Sequence, residues 1–211
     1  MHLHFGRLLA SAFLVFSIVA SEANAAPIKC PTGVDPEATK ALGQSKTEDC
    51  ETKVSHGYLL PDPTCTPGAI NPTVTTKVLQ SGKFRTGCER NVASSAAEKN
   101  KTYSYYSIKH PTKNTGASQT CELDHLISLE LGGADTVDNI WPQCGPKGVK
   151  LPKRYFKVKD GVENYLAAQV KAGEISLEDA QNGIAENWTQ YIAKANAYFL
   201  HHSKKGFGSD Q

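Results

Sequence analysis

Apolar residues at helical spacing dominate the C-terminal third of the chain. Between Asp160 and Gly173 apolar side chains recur every four residues, which predicts a helix that ends at Gly173. A second helix is predicted to begin at Ser176, whose side chain can cap it while Asp179 reaches back. Its apolar face comprises Leu177, Ala180, Ile184, Trp188, Tyr191, Ile192, Ala195 and Phe199. We expect these aromatic residues to form core rather than to stack on bases.

Further upstream the pattern changes from helical spacing to alternation. Residues 121–131 alternate between two faces and are followed by Gly132 and Gly133, which predicts a strand that enters a hairpin or an Ω-like loop. Residues 93–106 are rich in helix formers, with Ser94 or Ser95 as a candidate cap. Residues 73–79 are short and β-branched, which favours either a strand or one turn of helix.

These elements together predict an α+β fold, in which a hairpin and a helix are followed by additional C-terminal helices. The predicted folded domain covers residues 64–200 and is preceded by an irregular segment at 26–63, which is polar and interrupted by proline and glycine. Residues 201–211 are polar and rich in glycine, and we expect them to form a flexible tail.

The first 25 residues have the pattern of a secretory signal peptide. A basic start leads into an apolar run at residues 8–20, and small residues flank Asn24 at positions 23 and 25. We expect cleavage after about Ala25, and therefore a secreted or periplasmic protein without stable membrane association. An N-terminal membrane anchor is the alternative, although no second apolar stretch of comparable length follows.

All six cysteines follow the predicted cleavage site, and an even number in an exported chain indicates disulfides. They are Cys30, Cys50, Cys65, Cys88, Cys121 and Cys144. Structural zinc binding is the competing interpretation, but no two cysteines have the close spacing that such sites usually show. Many pairings remain open, and we expect the sequential one: Cys30 with Cys50, Cys65 with Cys88, and Cys121 with Cys144.

The net charge of +2 says little about partners, but the distribution of charge says more. Residues 141–159 contain only basic charges, namely Lys147, Lys150, Lys153, Arg154, Lys157 and Lys159. Such a basic stretch favours a polyanionic ligand through Coulomb attraction and counterion release. A solvated loop is the alternative, and it is less attractive because of the neighbouring motif.

The neighbouring motif combines Asp124, His125 and, fourteen positions later, Asn139. Hydrolysis of a phosphodiester needs a base for the attacking water and a cation for the charge that builds on the phosphate. A histidine can serve as that base near neutral pH, and a carboxylate can hold a divalent cation. Adjacent residues of a strand point to opposite faces, so Asp124 and His125 can serve one ligand only where the strand ends or bulges.

This motif resembles the HNH endonuclease superfamily, whose core is a ββα-metal hairpin and helix. More closely, it resembles small bacterial HNH-like proteins with the pattern D-H-L-I-x-L-x-L-G-G followed by N-[IL]-W-P-[QE]. The resemblance covers roughly residues 65–191. It also includes the segments Cys65-Thr66-Pro67-Gly68, Arg90-Asn91-Val92, Lys159-Asp160-x-x-Glu163 and Ala180-Gln181-x-x-Ile184-x-x-x-Trp188.

The resemblance implies His125 as general base, Asp124 as metal ligand, and Asn139 as a support for the base or the metal. No histidine follows Asn139 until His201, so the third ligand must come from elsewhere. The superfamily takes it from the next helix, where Glu163 is narrowly favoured over Asp160. An Asp124–His125 pair that only orders the hairpin is the structural alternative.

The resemblance further implies one divalent metal ion and a nucleic-acid substrate. Oxygen ligands favour Mg²⁺ or Mn²⁺, with zinc and nickel as open alternatives. DNA is favoured over RNA, with little sequence preference, because basic side chains hold the backbone rather than base edges. The predicted phosphate contacts are Arg90, Lys99, Lys153 and Lys159. A toxin and a secreted, non-catalytic binding module with a degenerate HNH fold are the competing functions.

Overall fold

The computed structural model describes residues 29–203. The predicted signal peptide and residues 204–211 of the predicted tail lie outside this range. Its strands are β1 (Lys40–Ala41), β2 (Lys53–Ser55), β3 (Tyr58–Leu60), β4 (Ala69–Ile70), β5 (Cys121–His125) and β6 (Ile140–Cys144). Its helices are α1 (Thr76–Gln80), α2 (Ala96–Asn100), α3 (Thr102–Tyr105), α4 (Tyr155–Ala172), α5 (Leu177–Asn187) and α6 (Ile192–Ser203).

Helix α4 lies at the centre of the main core and packs against α1, α5 and α6. The three residues that predicted it, Val162, Leu166 and Val170, are all buried in this core. The helix ends at Gly173 as expected, but it begins at Tyr155, five residues before the predicted start. Arg154 precedes the first turn without a side-chain cap, so no capping residue signals the start within the basic stretch.

The second predicted helix is interrupted in the structure. Ser176 accepts a hydrogen bond from the Asp179 backbone and donates one to its carboxylate, as the capping pattern predicted. Helix α5 ends at Asn187, whose side chain accepts a hydrogen bond from the Thr189 backbone and starts a 3₁₀ turn over Trp188–Tyr191. The chain then continues as α6 through Ser203, so residues 201–203 are helical and not part of a flexible tail.

Strands β5 and β6 form an antiparallel hairpin around the motif. Cys121 pairs with Cys144 at its open end, and His125 pairs with Ile140 where the connecting loop begins. The loop passes close to itself at Gly133, where a Cβ atom would lie 1.8 Å from the carbonyl oxygen of Ile127. This contact leaves no room for a side chain at position 133, because Cβ atoms do not approach backbone atoms so closely.

The N-terminal segment is joined to the domain by covalent and backbone contacts. Strand β1 pairs with β4, β2 forms a hairpin with β3, and Ile70 makes a β-bridge to Gly133 in the loop of the β5–β6 hairpin. The described part of this segment, residues 29–63, therefore contains more regular structure than its composition predicted. Both the β1–β4 pair and two disulfides cross the predicted boundary between residues 63 and 64.

The disulfide pairing is nested rather than sequential. Cys121 bonds to Cys144, as expected. The other two expected pairs are wrong, because Cys30 bonds to Cys88 and Cys50 bonds to Cys65. The loop closed by Cys50 and Cys65 lies inside the longer loop closed by Cys30 and Cys88.

The fold is thus a mixed α+β arrangement of small antiparallel hairpins and several helices with three disulfides. No helix within residues 29–203 has both the length and the apolar character needed to cross a bilayer. The disulfides fit an extracellular or periplasmic protein, because they persist in oxidising compartments.

Candidate active site

The motif residues lie where strand β5 ends. Asp124 is opposite Trp141 in the hairpin, and His125 is the last residue of the strand. Beyond it the chain leaves the sheet, and the Leu126 backbone donates a hydrogen bond to the Asn139 carbonyl. The end of the strand therefore allows Asp124 and His125 to line the same cavity, although they are neighbours on a strand.

Asn139 orders the loop, and the hydrogen bonds of its side chain go to the loop backbone rather than to His125. Its side-chain oxygen accepts a hydrogen bond from the Ile127 backbone at 2.9 Å, and its amide donates to the carbonyls of Ile127 and Ala134. The residue is fully buried, so its side chain is committed to the backbone of the loop. Asn139 is therefore placed to shape the loop that carries the site, and its expected support of the base or the metal stays a prediction.

Asp135 orients the histidine instead. Its Oδ1 atom lies 2.8 Å from Nε2 of His125, and the carboxylate is buried. Its Oδ2 atom accepts hydrogen bonds from the Lys99 ammonium at 2.7 Å and from the Asn91 backbone at 3.0 Å. Asp135 was not among the predicted site residues, and it lies in the loop between Gly133 and Asn139.

The pKa shifts of His125 and Asp135 indicate the protonation state of the imidazole and which ring nitrogen carries its proton. Burial alone would raise the pKa of Asp135, but hydrogen bonds from His125 and Lys99 outweigh it and hold the pKa well below the usual range. Burial lowers the pKa of His125, and its hydrogen bond to Asp135 offsets only part of this effect. A neutral His125 beside an ionised carboxylate must carry its proton on Nε2, which leaves Nδ1 as the basic nitrogen.

Lys159, which was predicted to contact phosphate, is enclosed beside the candidate site. Its ammonium lies 2.9 Å from Oδ2 of Asp124 and 2.5 Å from Oε1 of Glu163, and it donates to the His125 carbonyl at 2.6 Å. The residue has no exposed surface, so its expected role as a phosphate contact is wrong. Burial would lower the pKa of Lys159, but the Asp124 and Glu163 carboxylates raise it and keep the lysine charged.

The two candidate third ligands on α4 have different environments. Glu163 shares the Lys159 ammonium with Asp124, which brings the two carboxylates together. Asp160 is one-third exposed and accepts a hydrogen bond from Lys157 at 2.8 Å. Both residues line the same cavity. Glu163, the narrowly favoured candidate, shares an ammonium partner with Asp124.

Asp124, His125 and the two candidate ligands on α4 line one cavity of about 130 Å³. It is lined by Thr86, Arg90, Glu122, Asp124, His125, Ser128, Leu129, Glu130, Asp160 and Glu163. Five of these residues are carboxylic acids, and burial raises the pKa values of Glu122, Asp124 and Glu130, the last to about 7. A bound cation would favour the ionised forms of these carboxylic acids and lower their pKa values again, so the lining of the cavity suits a cationic ligand.

The donor atoms of the cavity fit a hard divalent cation in their chemistry. Oδ2 of Asp124 is buried, and its charged partner within the described residues is the Lys159 ammonium at 2.9 Å. Carboxylate oxygens suit Mg²⁺ or Mn²⁺, whereas no described cysteine is free to supply sulfur for a softer metal. However, no group of three or more His, Cys, Asp or Glu side chains within residues 29–203 has the arrangement of a metal site.

The basic residues predicted to contact phosphate divide into two groups. The side chain of Arg90 is 60% exposed and lines the cavity, and Lys153 is exposed in the turn before α4. Lys99 is mostly buried by its ion pair with Asp135, and Lys159 is enclosed. Arg154, within the same basic stretch, is also buried and donates to the Pro146 carbonyl. Of the four predicted phosphate contacts, Arg90 and Lys153 are thus the two that are exposed enough to bind a large polyanion directly.

No family model matches this chain, and the comparisons with curated proteins and with solved structures also give no match.

Proposed function

We propose that this chain is an exported HNH-type endonuclease that hydrolyses phosphodiester bonds of nucleic acid. The observation that carries the proposal is the His125–Asp135 pair at a carboxylate-lined cavity. A histidine whose one nitrogen is held by a buried carboxylate presents the other as a base of defined orientation. The motif of Asp124 and His125 and its resemblance to the HNH superfamily agree with this chemistry.

In the proposed reaction, Nδ1 of His125 removes a proton from the attacking water. The ionised Asp135 stabilises the imidazolium that forms and keeps the ring in position. Lys99 balances the charge of Asp135, so that the buried carboxylate remains ionised throughout. Arg90 lines the same cavity and lies 3.8 Å from Asp135, where its exposed guanidinium can bind a phosphate oxygen.

The proposed cofactor is one divalent metal ion. Asp124 would hold it together with Glu163 or Asp160, and oxygen donors favour Mg²⁺ or Mn²⁺ over zinc or nickel. When bound, such an ion neutralises the charge that builds on the phosphate and stabilises the leaving oxygen.

The proposed substrate is DNA rather than RNA, read with little sequence preference. Three lysines outside the cavity, Lys147, Lys150 and Lys153, are exposed before the start of α4. Ammonium groups on a surface bind the sugar–phosphate backbone, which is common to all sequences. We therefore expect binding that weakens steeply as salt concentration rises.

The test is plasmid cleavage by the oxidised, mature protein in EDTA, Mg²⁺, Mn²⁺ or Zn²⁺. We expect metal-dependent cleavage that falls by at least about 100-fold in His125→Ala, because a general base contributes 10²–10⁴-fold. His110→Ala is the matched control, since His110 is exposed, lies outside the cavity lining and contacts the Tyr103 ring. Equal cleavage by the wild type and His125→Ala would refute the proposed base.

One observation favours a second candidate, a secreted binding module without catalysis. The buried Lys159 ammonium takes the position between Asp124 and Glu163, and no complete set of metal ligands is arranged within the described chain. Binding of DNA or RNA without cleavage under any of the four conditions would support this candidate over the nuclease.

A further inference from the structure

Lys159 is a cation surrounded by protein oxygens. Its ammonium has three hydrogen atoms to donate, and three oxygens lie within 2.9 Å of it, from Asp124, Glu163 and the backbone of His125. The side chain is fully enclosed. A buried ammonium is tolerated only when it is paired in this way, so the position of Lys159 is tightly specified.

The oxygens come from two elements that meet only in the folded chain. Asp124 and the His125 carbonyl belong to the end of β5, whereas Lys159 and Glu163 are one turn apart on α4. The ammonium therefore links the hairpin to the helix at the floor of the cavity. Without it, two carboxylates would face each other in a buried site that Glu122 and Glu130 make more acidic.

The same oxygens would suit a divalent ion. Two carboxylates and a carbonyl are the hard donors that Mg²⁺, Mn²⁺ and Ca²⁺ prefer. The N–O distances of 2.5–2.9 Å around Lys159 are longer than the ~2.1 Å of magnesium–oxygen bonds. The ammonium therefore holds the carboxylates slightly farther apart than a magnesium ion would.

We propose that Lys159 is a built-in cation of the site, which holds Asp124 and Glu163 in place without metal and competes with a divalent ion for them. Metal binding to the wild type is then weak and exchangeable, and the fold does not depend on it. The inference rests on the proposed function only for the identity of the competing ion.

The experiment compares the wild type with Lys159→Met, which keeps much of the side-chain length and removes the charge. Mn²⁺ binding is measured by isothermal titration calorimetry, and the melting temperature is measured in EDTA and in Mn²⁺. We expect Lys159→Met to bind Mn²⁺ at least about tenfold more tightly, because the two carboxylates are left unbalanced. Its melting temperature should fall in EDTA and rise again with Mn²⁺, as binding to the folded state requires.

Lys157→Met is the matched control. Lys157 lies two residues away and pairs with Asp160 and Glu122 at the edge of the same cavity, but it is one-third exposed. This variant loses the same charge without opening the position between Asp124 and Glu163. We expect its Mn²⁺ affinity and its thermal response to Mn²⁺ to stay within about twofold of the wild type.

Three outcomes would overturn the inference. Mn²⁺ affinity in Lys159→Met could equal or fall below that of the wild type, or Lys157→Met could gain affinity to the same extent. Lys159→Met could also remain unfolded in saturating Mn²⁺ while the charge-balanced variant Asp124→Asn/Lys159→Met folds, which would show that a divalent ion cannot replace the ammonium. None of these measurements uses cleavage, so an inactive protein that behaves as expected would refute the nuclease and leave this inference intact.

Discussion

Asp135 determines which nitrogen of His125 is available as a base. It is ionised and buried, and it holds Nε2 of the ring at 2.8 Å, so that only Nδ1 is left without a hydrogen-bond partner in the described chain. The residue acts through His125 and is a positioning residue in the proposed mechanism. Its effect should therefore be visible in the pH dependence of the rate as well as in the rate itself.

We predict that Asp135→Asn lowers kcat by about 10- to 100-fold and moves the acidic limb of the pH–rate profile to lower pH. The shift follows because the Asp135 carboxylate raises the pKa of His125 through a hydrogen bond and its charge. A profile of kcat/KM against pH from 4 to 9 checks both effects. Asp138→Asn is the control, because Asp138 is in the same loop and its carboxylate accepts a hydrogen bond from the Ser45 hydroxyl. An unchanged profile would mean that Asp135 has a structural role alone.

The same variant has a predicted effect on stability. Because the pKa of Asp135 is lower in the folded than in the unfolded chain, its ionised form stabilises the fold at neutral pH. That contribution is present above the unfolded pKa of about 3.9 and is lost as the pH falls below it. Urea unfolding at pH 3 and pH 7 should therefore show a smaller difference for Asp135→Asn than for the wild type.

The sequence indicated the positions of Asp124 and His125 but not their neighbours. Asp135 was not predicted because it lies in an irregular loop, where no periodicity indicates which side chain faces the histidine. The signal that was available is chemical, since a buried histidine usually needs a carboxylate or carbonyl partner. The burial of Lys159 was also unpredictable, because its helix begins five residues earlier than its sequence indicates.

At the level of elements, the loop between β5 and β6 depends on one amide. Asn139 replaces missing backbone partners for Ile127 and Ala134, which lie on opposite sides of the turn. In this way its side chain holds the loop closed and places Asp135 against His125. The contribution of Asn139 to the site is thus indirect, through the shape of the loop.

We predict that Asn139→Ala lowers the free energy of unfolding by about 2–4 kcal/mol, because the Ile127 and Ala134 backbone groups are left buried without partners. Urea denaturation followed by circular dichroism measures this loss. Asn164→Ala is the control, since Asn164 is exposed on α4 and donates a single hydrogen bond to the Asp160 carbonyl. A fully stable but inactive Asn139→Ala would instead support the direct role that the sequence suggested.

Helices were easier to predict than their ends. Apolar spacing located α4 and α5, and the Ser176 cap was correct. The break at Asn187 was missed, because the apolar pattern continues across it and only the Asn187 side chain turns the backbone. Short strands β1 to β4 were missed as well, since two or three residues give no measurable alternation.

For the whole molecule, the nested disulfides join the N-terminal segment to the domain. The Cys30–Cys88 bond closes a loop with a sequence separation of 58, and it ends two residues before Arg90 at the cavity. The Cys50–Cys65 bond spans only 15 residues. Sequence spacing could not reveal this order, because six cysteines allow many pairings and the folded chain decides which of them come together.

We predict that Cys30→Ser/Cys88→Ser costs about 4 kcal/mol of stability and Cys50→Ser/Cys65→Ser about 3 kcal/mol, because a longer loop restricts the unfolded chain more. Urea denaturation of the two double variants, each with its other disulfides oxidised, compares the losses. If the shorter loop proved the more costly, native contacts near Cys50 and Cys65 would outweigh chain entropy.

The crowding at Gly133 bears on how mutational scans of this protein should be interpreted. Gly133 lies beside the carbonyl of Ile127 and has no room for a side chain. In a screen for activity, we expect position 133 to tolerate substitution as poorly as position 125. We expect the two positions to differ in kind: a side chain at position 133 would clash with the loop backbone, whereas a smaller side chain at position 125 would remove the imidazole without such a clash. A screen that also records the amount of folded protein would therefore separate residues required for space from residues required for reactivity.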